Sequence, residues 1–251
     1  MRNAVEPVIL CGGAGLRLRS VTGGTPKSLA YIGQRPFLEI LINQLRRHGF
    51  DRVVLAVGYQ KESIREHFGD RALGLQIDYS IEETPLGTGG ALRKATDLLD
   101  SDAALIMNGD SYTDVNLSSF IQEHQSSKVD LSVVVVPADG REDCGLVSVA
   151  ADGSVLGFKE KQSLDGKKNV NAGIYLASKK LLGEVPLNLP VSLEVELFPK
   201  WLGEGIKLRA FYHPGTCIDI GTPERYKTAQ DSLARVELGE ALADFQGQQN
   251  S

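Results

Sequence analysis

The chain has 251 residues, of which 42% are hydrophobic and 24% are charged, with a formal net charge of −5. The acidic balance argues against nucleic-acid binding, which normally requires a basic face. No apolar run approaches the roughly 20 residues that span a bilayer, and no signal-peptide pattern opens the chain, so we expect a cytoplasmic protein without a membrane partner.

Short β-branched segments alternate with helical patterns over the first half of the chain, as they do in parallel α/β sheets. The predicted strands are Val5–Leu10, Arg52–Val57, Leu75–Ser80, Ala103–Asn108 and Leu131–Val136. The predicted helices are Pro36–His48, Gln60–Phe68, Gly87–Leu99 and Asn116–Gln125. This alternation predicts an α/β fold, a Rossmann-like open sheet that is mixed but mostly parallel and is flanked by helices.

The second half of the chain contains shorter strands that suit a mixed extension of the sheet. They are Gly145–Val149, Val155–Glu160, Val170–Ala177 and Lys207–Phe211. Asp-Gly turns are predicted at Asp152-Gly153 and Asp165-Gly166. Two helices, Ser192–Leu202 and Pro223–Leu238, complete the pattern, and Thr222 suits the N-cap of the second. No linker-like segment or internal repeat divides the chain, so we expect one domain over residues 1–251.

The loop after the first predicted strand is rich in glycine and carries cations. Gly12, Gly13 and Gly15 can bring backbone N–H groups close to an anion, which Arg17 and Lys27 can neutralise. The loop is not the dinucleotide fingerprint, because it does not run directly into a helix, and no Gly-Lys-Ser/Thr closes it as a Walker loop. It therefore predicts a polyphosphate site, and the alternative is a flexible turn.

Three loops follow predicted strands and carry residues of functional interest. Gly12–Arg17 follows the first strand, Glu82–Gly90 the third and Gly109-Asp110 the fourth. Ligands of open α/β sheets bind beyond the carboxyl ends of the strands, so we expect these loops to meet in one crevice. Cys11, Cys144 and Cys217 are too dispersed for a disulfide framework or a zinc site, and we expect them to be reduced and buried.

Taken in order, the short motifs of the chain resemble the signature of the sugar-1-phosphate nucleotidylyltransferases. The motifs are Leu10-Cys11-Gly12-Gly13-Ala14-Gly15-Leu16-Arg17-Leu18, Pro26-Lys27-Ser28-Leu29, Pro85-Leu86-Gly87-Thr88-Gly89-Gly90, Gly109-Asp110, Glu160-Lys161, Asn171-Ala172-Gly173 and Asp219-Ile220-Gly221-Thr222-Pro223-Glu224. The chain departs from the pattern at Leu16, where the family usually has Thr or Ser, and at Ser28, where it often has Pro. Leu16 removes a hydroxyl contact to phosphate.

The resemblance implies a reaction in which a sugar 1-phosphate attacks the α-phosphorus of a nucleoside triphosphate and pyrophosphate leaves. It implies catalytic roles for Arg17, Lys27 and Asp110, with Arg17 holding the departing phosphates and Lys27 the α-phosphate and the sugar phosphate. It also implies Mg²⁺ as the cofactor, bound by Asp110 and Asp219 in the way that Mg²⁺ commonly uses one or two carboxylates. The alternatives are a turn residue for Asp110 and a helix-proximal cap for Asp219.

The resemblance further implies two sets of binding residues. The nucleotide-binding set, within a part of the chain at about 1–115, is Leu10, Gly12, Gly13, Gly15, Arg17, Lys27, Glu82, Gly87, Thr88 and Asp110. The sugar-phosphate-binding set, within about 116–240 and before a frayed tail, is Gly145, Glu160, Lys161, Asn171 and Gly173. For Glu160 and Lys161 the alternative is a solvated strand end.

Two features bear on the nucleobase. Guanine presents N–H donors at N1 and N2, so a carboxylate near the base favours it over uracil or thymine. Glu82 and Glu83 precede the base-cradling loop, whose Pro-Leu-Gly-Thr-Gly-Gly form is similar to the guanylyl branch of the family. The alternative is that both are exposed acids at a strand end.

Within the family, the chain is most similar to the bacterial heptose 1-phosphate guanylyltransferases. The residues that carry this similarity are Pro36-Phe37-Leu38, Gly109-Asp110-Ser111-Tyr112 and Ser192-Leu193-Glu194. We therefore expect transfer of GMP from GTP to a manno-heptose 1-phosphate. The alternatives are a mannose 1-phosphate guanylyltransferase and a uridylyl- or thymidylyltransferase of a hexose 1-phosphate.

Two other classes are disfavoured by the sequence. Only Leu16 supports a non-catalytic nucleotide-sugar sensor. A metal-dependent glycosyltransferase typically needs an Asp-x-Asp site, and Asp110-Ser111-Tyr112 lacks the second carboxylate. The sequence is compatible with a homo-oligomer.

Overall fold

A computed structural model of the chain describes residues 4–138, 145–160 and 169–233. Its strands are β1 (Val5–Leu10), β2 (Tyr31–Ile32), β3 (Arg35–Pro36), β4 (Arg52–Val57), β5 (Arg71–Ala72), β6 (Leu75–Ile81), β7 (Ala103–Asn108), β8 (Ser111–Thr113), β9 (Leu131–Pro137), β10 (Gly145–Val149), β11 (Val155–Glu160), β12 (Asn169–Ser178), β13 (Leu208–Tyr212) and β14 (Cys217–Asp219). Its helices are α1 (Arg19–Thr22), α2 (Phe37–Arg47), α3 (Lys61–Phe68), α4 (Gly87–Ala95), α5 (Leu117–Ser127), α6 (Lys179–Gly183), α7 (Phe198–Gly203) and α8 (223–233).

Ten of the described strands form one mixed sheet in the order β11-β10-β12-β7-β1-β4-β6-β5, with β9 beside β12 and β13 beside β9. The central strands β7, β1, β4 and β6 are parallel. The chain runs outward from β1 to β4 and β6 and then returns to β7 on the other side of β1. The strand order therefore reverses between β1 and β7, and such a reversal opens a crevice at the carboxyl ends of the two strands.

The long strand β12 carries the antiparallel part of the sheet. Its second half pairs with β7, in the register Ile174 to Met107, and its first half pairs with β10, in the register Val170 to Leu146. Because β12 runs antiparallel to β7, the β10–β11 hairpin extends the sheet beyond the carboxyl end of β7. The hairpin therefore lies on the same side of the molecule as the crevice.

The predicted strands and helices of the first half are confirmed, with shifts of only a few residues at their ends. Helix α2 follows Pro36, and Asn116 caps α5 by accepting a hydrogen bond from Ser119 N at 2.9 Å. Helix α4 ends at Ala95, earlier than predicted, and a 3₁₀ turn (Thr96–Leu98) follows. Thr96 Oγ1 donates to Arg93 O at 2.6 Å, and such a bond competes with the regular helix ladder.

In the second half the predicted strands are again confirmed, but the predicted helix 192–202 is two elements. A π-helical turn (Leu193–Leu197), capped by Ser192, leads into α7. Thr222 Oγ1 accepts from Arg225 N at 3.3 Å, which confirms the predicted cap of α8. The predicted turn at Asp165-Gly166 and the end of the last predicted helix lie outside the described residues. Very short elements, namely β2, β3, β5, β8, β14, α1 and α6, were not predicted.

The sheet separates two apolar cores. Alternate residues of β1 and β7 point to opposite faces, so that Ile9 and Met107 belong to one core and Val8 and Ile106 to the other. One core contains residues of α2, α3 and α5, and the other contains residues of α4, α6 and α7. Burial of both faces explains why β4 and β7 are nearly continuous apolar runs, whereas β6 alternates apolar and polar residues.

Two further features concern the described residues as a whole. Cys11 and Cys217 are buried, as expected, and Cys144 lies outside the described residues. Among the described residues, none of the helices combines the length and apolar character that crossing a bilayer requires.

A buried carboxylate joins the strands at the end of the sheet opposite to the crevice. Glu6 on β1 forms an ion pair with Arg52 on β4, which also donates to Asp78 on β6 at 2.6 Å. The other carboxylate oxygen of Glu6, Oε2, accepts from the backbone N–H groups of Asp100 and Ser101 at 2.6 and 2.7 Å. Burial alone would raise the pKa of Glu6, but these hydrogen bonds outweigh it and hold the pKa below the ordinary value.

We predict that Glu6→Gln lowers the free energy of unfolding by about 2 kcal/mol at pH 7, because charge-assisted hydrogen bonds are lost from a buried site. A carboxyl group with a lowered pKa in the folded state stabilises above its unfolded pKa, so this contribution is lost as the pH falls below the ordinary value of 4.5. Urea unfolding at pH 7 and pH 3.5 measures both effects, with the exposed Glu66→Gln as the control. A difference between wild type and Glu6→Gln that does not shrink in acid would contradict the prediction.

Candidate functional site

Two adjoining cavities open at the carboxyl ends of β1 and β7. The first, of about 500 Å³, is called here the glycine-loop cavity and includes Gly15, Arg17, Lys27 and Gly221 in its lining. The second, of about 530 Å³, is called the Glu82 cavity; its lining residues are Leu10, Gly12, Gly13, Ala14, Ala56, Gly58, Tyr59, Glu82, Glu83, Thr84, Pro85, Gly87, Thr88, Ala91, Asn108 and Asp110. Leu10, Gly13, Ala14 and Asp110 line both cavities. The three loops predicted to meet in one crevice therefore do so.

The three glycines of the first loop differ in what a side chain at each position would contact. Gly15 has φ +56°, and a Cβ there would lie 2.9 Å from Lys27 Cβ. A Cβ on Gly12 would lie 2.5 Å from Glu82 Oε1, whereas a Cβ on Gly13 would meet nothing within 4 Å. Backbone conformation and packing thus require glycine at position 15, and a side chain at position 12 would displace the Glu82 carboxylate. Gly13 leaves open space on the wall that both cavities share.

The first ion pair of the crevice joins Lys27 to Asp110. Lys27 Nζ lies 2.6 Å from Asp110 Oδ2, and the lysine side chain is 13% exposed while the carboxylate is 45% exposed. Backbone hydrogen bonds fix Asp110, because Gly109 N donates to Leu10 O at 2.9 Å and Ile220 N donates to Asp110 O at 3.0 Å. A cation and a carboxylate thus stand together where the two cavities meet.

The second ion pair joins Asp219 to Arg225, a residue that the sequence analysis did not assign. Arg225 NH1 lies 3.0 Å from both carboxylate oxygens of Asp219, and Gly221 N donates to Oδ1 at 2.9 Å. Strand pairing places Asp219 opposite Ser111, next to Asp110 in the chain. Arg225 follows directly after the Asp219-to-Glu224 motif. Its signal in the sequence is a positive charge close to Asp219, a predicted metal ligand.

The glycine-loop cavity is therefore lined or flanked by three cations and two carboxylates. A Cβ on Gly221 would lie 3.7 Å from Lys27 Nζ and 3.8 Å from Arg17 NH2, so these groups converge on one point. The arrangement suits a polyanion. The oxygen donors of Asp110 and Asp219 also fit a small hard cation such as Mg²⁺, which takes most of its other ligands from phosphates and water.

The Glu82 cavity contains a buried carboxylate. Glu82 is 8% exposed, and its Oε2 accepts from Leu86 N at 2.8 Å. Burial raises the pKa of Glu82, and the hydrogen bond from Leu86 offsets this only in part. Glu83 is instead exposed and pairs with Lys61 at 2.8 Å. The exposed-acid alternative is thus correct for Glu83 and wrong for Glu82.

The predicted sugar-phosphate side contains a hydrogen-bond network on β12. Asn171 Nδ2 donates to Tyr175 OH at 2.7 Å, and Tyr175 OH donates to Glu194 Oε1 at 3.1 Å. Glu194 Oε2 also accepts from Thr88 Oγ1 at 2.9 Å, which links this side to the Glu82 cavity. Burial and the neighbouring Glu194 carboxylate raise the pKa of Tyr175 well above its ordinary value, so its hydroxyl remains a donor.

The other predicted sugar-phosphate residues are placed as follows. Gly145 opens β10, and its backbone stands opposite that of Glu160 on β11. Gly173 has φ +73°, and a Cβ there would lie 2.6 Å from Ser111 Oγ and 2.9 Å from Asn108 Nδ2, so packing requires a glycine. Lys161 lies outside the described residues. Asn108, which was not predicted, lines the Glu82 cavity, and its Oδ1 is buried without a hydrogen-bond partner among the described residues.

The sequence model of the nucleotidyl transferase family matches residues 6–236. The chain belongs to this family. The resemblance drawn from the ordered motifs is thereby confirmed, as is the fold predicted for it.

The relatives of this nucleotidyltransferase include two proteins named as guanylyltransferases. The chain is 38% identical to the D-glycero-α-D-manno-heptose 1-phosphate guanylyltransferase of Aneurinibacillus thermoaerophilus, over 91% of this chain and 98% of that protein. It is 32% identical to the mannose-1-phosphate guanylyltransferase of Mycobacterium tuberculosis, over 98% of this chain and 69% of that protein. A crystal structure of HddC from Yersinia pseudotuberculosis complexed with GMP-PN is 32% identical, with a TM-score of 0.81 over 91% of this chain and 99% of that one.

We predict that Gly109→Ala lowers the free energy of unfolding of the nucleotidyltransferase by about 1–3 kcal/mol. The new Cβ would lie 2.6 Å from Leu10 O, a backbone atom that already accepts from Gly109 N and has no room to retreat. Urea unfolding measures the loss. The matched control is Gly203→Ala, whose Cβ would meet nothing within 4 Å. Equal stability of the two variants would contradict the prediction.

Proposed function

We propose that this nucleotidyltransferase is a guanylyltransferase that transfers GMP from GTP to a sugar 1-phosphate, with D-glycero-D-manno-heptose 1-phosphate as the favoured acceptor. The observation that carries the proposal is the Lys27–Asp110 pair, which stands where the glycine-loop cavity and the Glu82 cavity meet. A two-substrate transfer needs such a place, because its two anionic reactants must approach each other there. The relatives named as heptose 1-phosphate and mannose-1-phosphate guanylyltransferases support the choice of reaction.

In the proposed reaction a phosphate oxygen of the sugar 1-phosphate attacks the α-phosphorus of GTP. A new P–O bond forms, the bond from the α-phosphorus to the bridging oxygen breaks, and pyrophosphate leaves. Lys27 holds the α-phosphate and the incoming sugar phosphate, and Arg17 holds the departing phosphates. Placing both anions in line and neutralising them in a site of reduced dielectric supplies most of the acceleration in transfers of this type.

We propose Asp110 and Asp219 as the residues that hold Mg²⁺, since their oxygen donors fit it. The ion would neutralise charge on the phosphates during the transfer. The protein contributes the backbone anchors of these two residues, namely the hydrogen bond from Ile220 N to Asp110 O and that from Gly221 N to Asp219 Oδ1. These anchors set where the two carboxylates stand relative to Lys27.

We propose that Glu82 selects guanine. Its Oε2 is engaged by Leu86 N, so the acceptor capacity left for the N–H donors of a base lies on Oε1. Gly12 is what allows that oxygen to stand beside the glycine loop, since a Cβ there would lie 2.5 Å from it. Thr88 and the Asn171–Tyr175–Glu194 network support the opposite, sugar-phosphate side of the crevice.

The proposed reaction is tested by pyrophosphate release with GTP, ATP, UTP, CTP and dTTP against heptose, mannose and glucose 1-phosphates. We expect the highest kcat/KM for GTP with D-glycero-D-manno-heptose 1-phosphate. Glu82→Gln should lower the preference for GTP over UTP, because the acceptor charge near the base is removed. Highest activity with mannose 1-phosphate would instead favour the second candidate function, a mannose 1-phosphate guanylyltransferase. Nucleotide binding without release from any pair would contradict catalysis and favour a sensor.

Lys27→Ala and Asp110→Asn should each lower kcat/KM by about 100-fold or more, because each removes a charge that acts on the reacting phosphates. Asp110 is 45% exposed, so loss of the ion pair should change the free energy of unfolding by less than about 1 kcal/mol. The matched control is Lys200→Ala, which breaks a surface ion pair between Lys200 on α7 and Glu204, the residue that follows the helix. Near-normal turnover in either site variant would show that its assigned role is wrong.

A further inference from the structure

In the free chain, Arg225 forms an ion pair with Asp219 and donates to both of its carboxylate oxygens. Its NH1 lies 3.0 Å from each oxygen, and the two side chains are only 24% and 19% exposed. Partly buried pairs are screened less by solvent and salt than surface pairs are. The positive charge of Arg225 therefore stands beside Asp219 unless another charge displaces it.

Arg225 lies at a position in the fold that disfavours a cation unless a carboxylate is close by. Arg225 lies in the first turn of α8, and its backbone N–H donates to the N-cap Thr222. A helix N-terminus carries partial positive charge and disfavours a cation. Asp219 supplies the negative charge that compensates for this unfavourable position, so the helix start and the ion pair stabilise one another.

The other carboxylate of the crevice is paired as well, since Lys27 lies 2.6 Å from Asp110. Together with Arg17, whose guanidinium lies beside Gly221, three cations surround two carboxylates. This excess of positive charge repels a free divalent cation and attracts a triphosphate. A bound triphosphate makes the net charge of the crevice negative, because Lys27 and Arg17 bind its phosphates and neutralise only part of their charge.

We propose that Arg225 is a positioning residue that holds Asp219 in an ion pair in the free enzyme and so keeps the affinity of the site for the divalent metal low until the triphosphate is bound. The inference rests on the proposed function, since it takes a nucleoside triphosphate as the substrate. Metal and triphosphate then strengthen each other's binding by the same factor, as linkage requires. Arg225 sets the size of that factor by lowering the affinity of the empty site for the metal.

Mn²⁺ binding tests the proposal, measured by the loss of the free Mn²⁺ resonance signal with and without GTP and in the absence of any sugar phosphate. For wild type, GTP should tighten Mn²⁺ binding by about fivefold or more, beyond the Mn²⁺ that GTP itself holds. In Arg225→Gln, which removes the charge and keeps a polar side chain, Mn²⁺ alone should bind about fivefold more tightly than in wild type. The enhancement by GTP should shrink accordingly.

Two variants serve as controls. Arg225→Lys retains the charge and should bind Mn²⁺ as weakly as wild type in the absence of GTP. Arg209→Gln removes an equal charge from the pair with Glu123, where Arg209 Nε lies 3.3 Å from Oε1, and should leave Mn²⁺ binding unchanged. Thermal unfolding of each variant checks that the variant is folded.

Unchanged or weaker Mn²⁺ binding by folded Arg225→Gln, in the absence of GTP, would overturn the proposal. If that variant does not fold, the wild-type measurement still tests the proposal. Equal Mn²⁺ affinity of the wild type with and without GTP would also overturn the proposal. Failure of the proposed function would look different. It would appear as no pyrophosphate release from any substrate pair, whatever the variants do to Mn²⁺ binding.

Discussion

The hydrogen bond from Gly109 N to Leu10 O is the contact on which the site depends. It joins the ends of the two strands between which the strand order reverses, and it forms only because residue 109 lacks a Cβ. With the strand ends so close, Asp110 stands beside the glycine loop and within 2.6 Å of Lys27. The β10–β11 hairpin and the β8–β14 pair then extend from the same end of the sheet.

A second constraint is electrostatic. The crevice gathers cations from three parts of the chain, namely the glycine loop, the turn before β2 and the first turn of α8. Two of them, Lys27 and Arg225, are paired with the carboxylates that also suit a divalent cation. Each of the two carboxylates thus neutralises one cation, which limits the cost of holding like charges together before a ligand is bound. The opposite end of the sheet shows the same principle, since Glu6 is buried only because Arg52 and two backbone N–H groups satisfy it.

Much of the fold could be predicted because local pattern and tertiary environment agree. Buried parallel strands such as β4 and β7 are nearly continuous apolar runs, and α2 has an apolar face that begins just after Pro36. Prediction failed where tertiary contacts alone create an element. Strands β8 and β14 have three residues each and form only because they pair with one another. At the break after α4, the Thr96 hydroxyl donates to Arg93 O, a bond that competes with the helix ladder and that the helical pattern does not reveal.

The candidate site divides in the same way. Arg17, Lys27, Glu82, Asp110 and Asp219 were predicted because short motifs carry them and because the loops after parallel strands converge. Arg225 and Tyr175 were not predicted, because their importance lies in the partners that the fold provides, Asp219 for one and Glu194 for the other. Glu82 and Glu83 are adjacent and chemically identical, yet one is buried and the other exposed.

The sequence by itself determined the order of the longer strands and helices, the family and the glycine-rich, cationic character of the first loop. These depend on periodicity and on motifs that survive in linear form. The tertiary structure alone decided which cation meets which carboxylate and which of two neighbouring acids faces the cavity. Those outcomes depend on distances of a few ångströms, because Coulomb and hydrogen-bond energies are set by distance in space rather than by sequence spacing. Lys27 and Asp110, for example, are more than 80 positions apart in the chain and yet lie 2.6 Å apart.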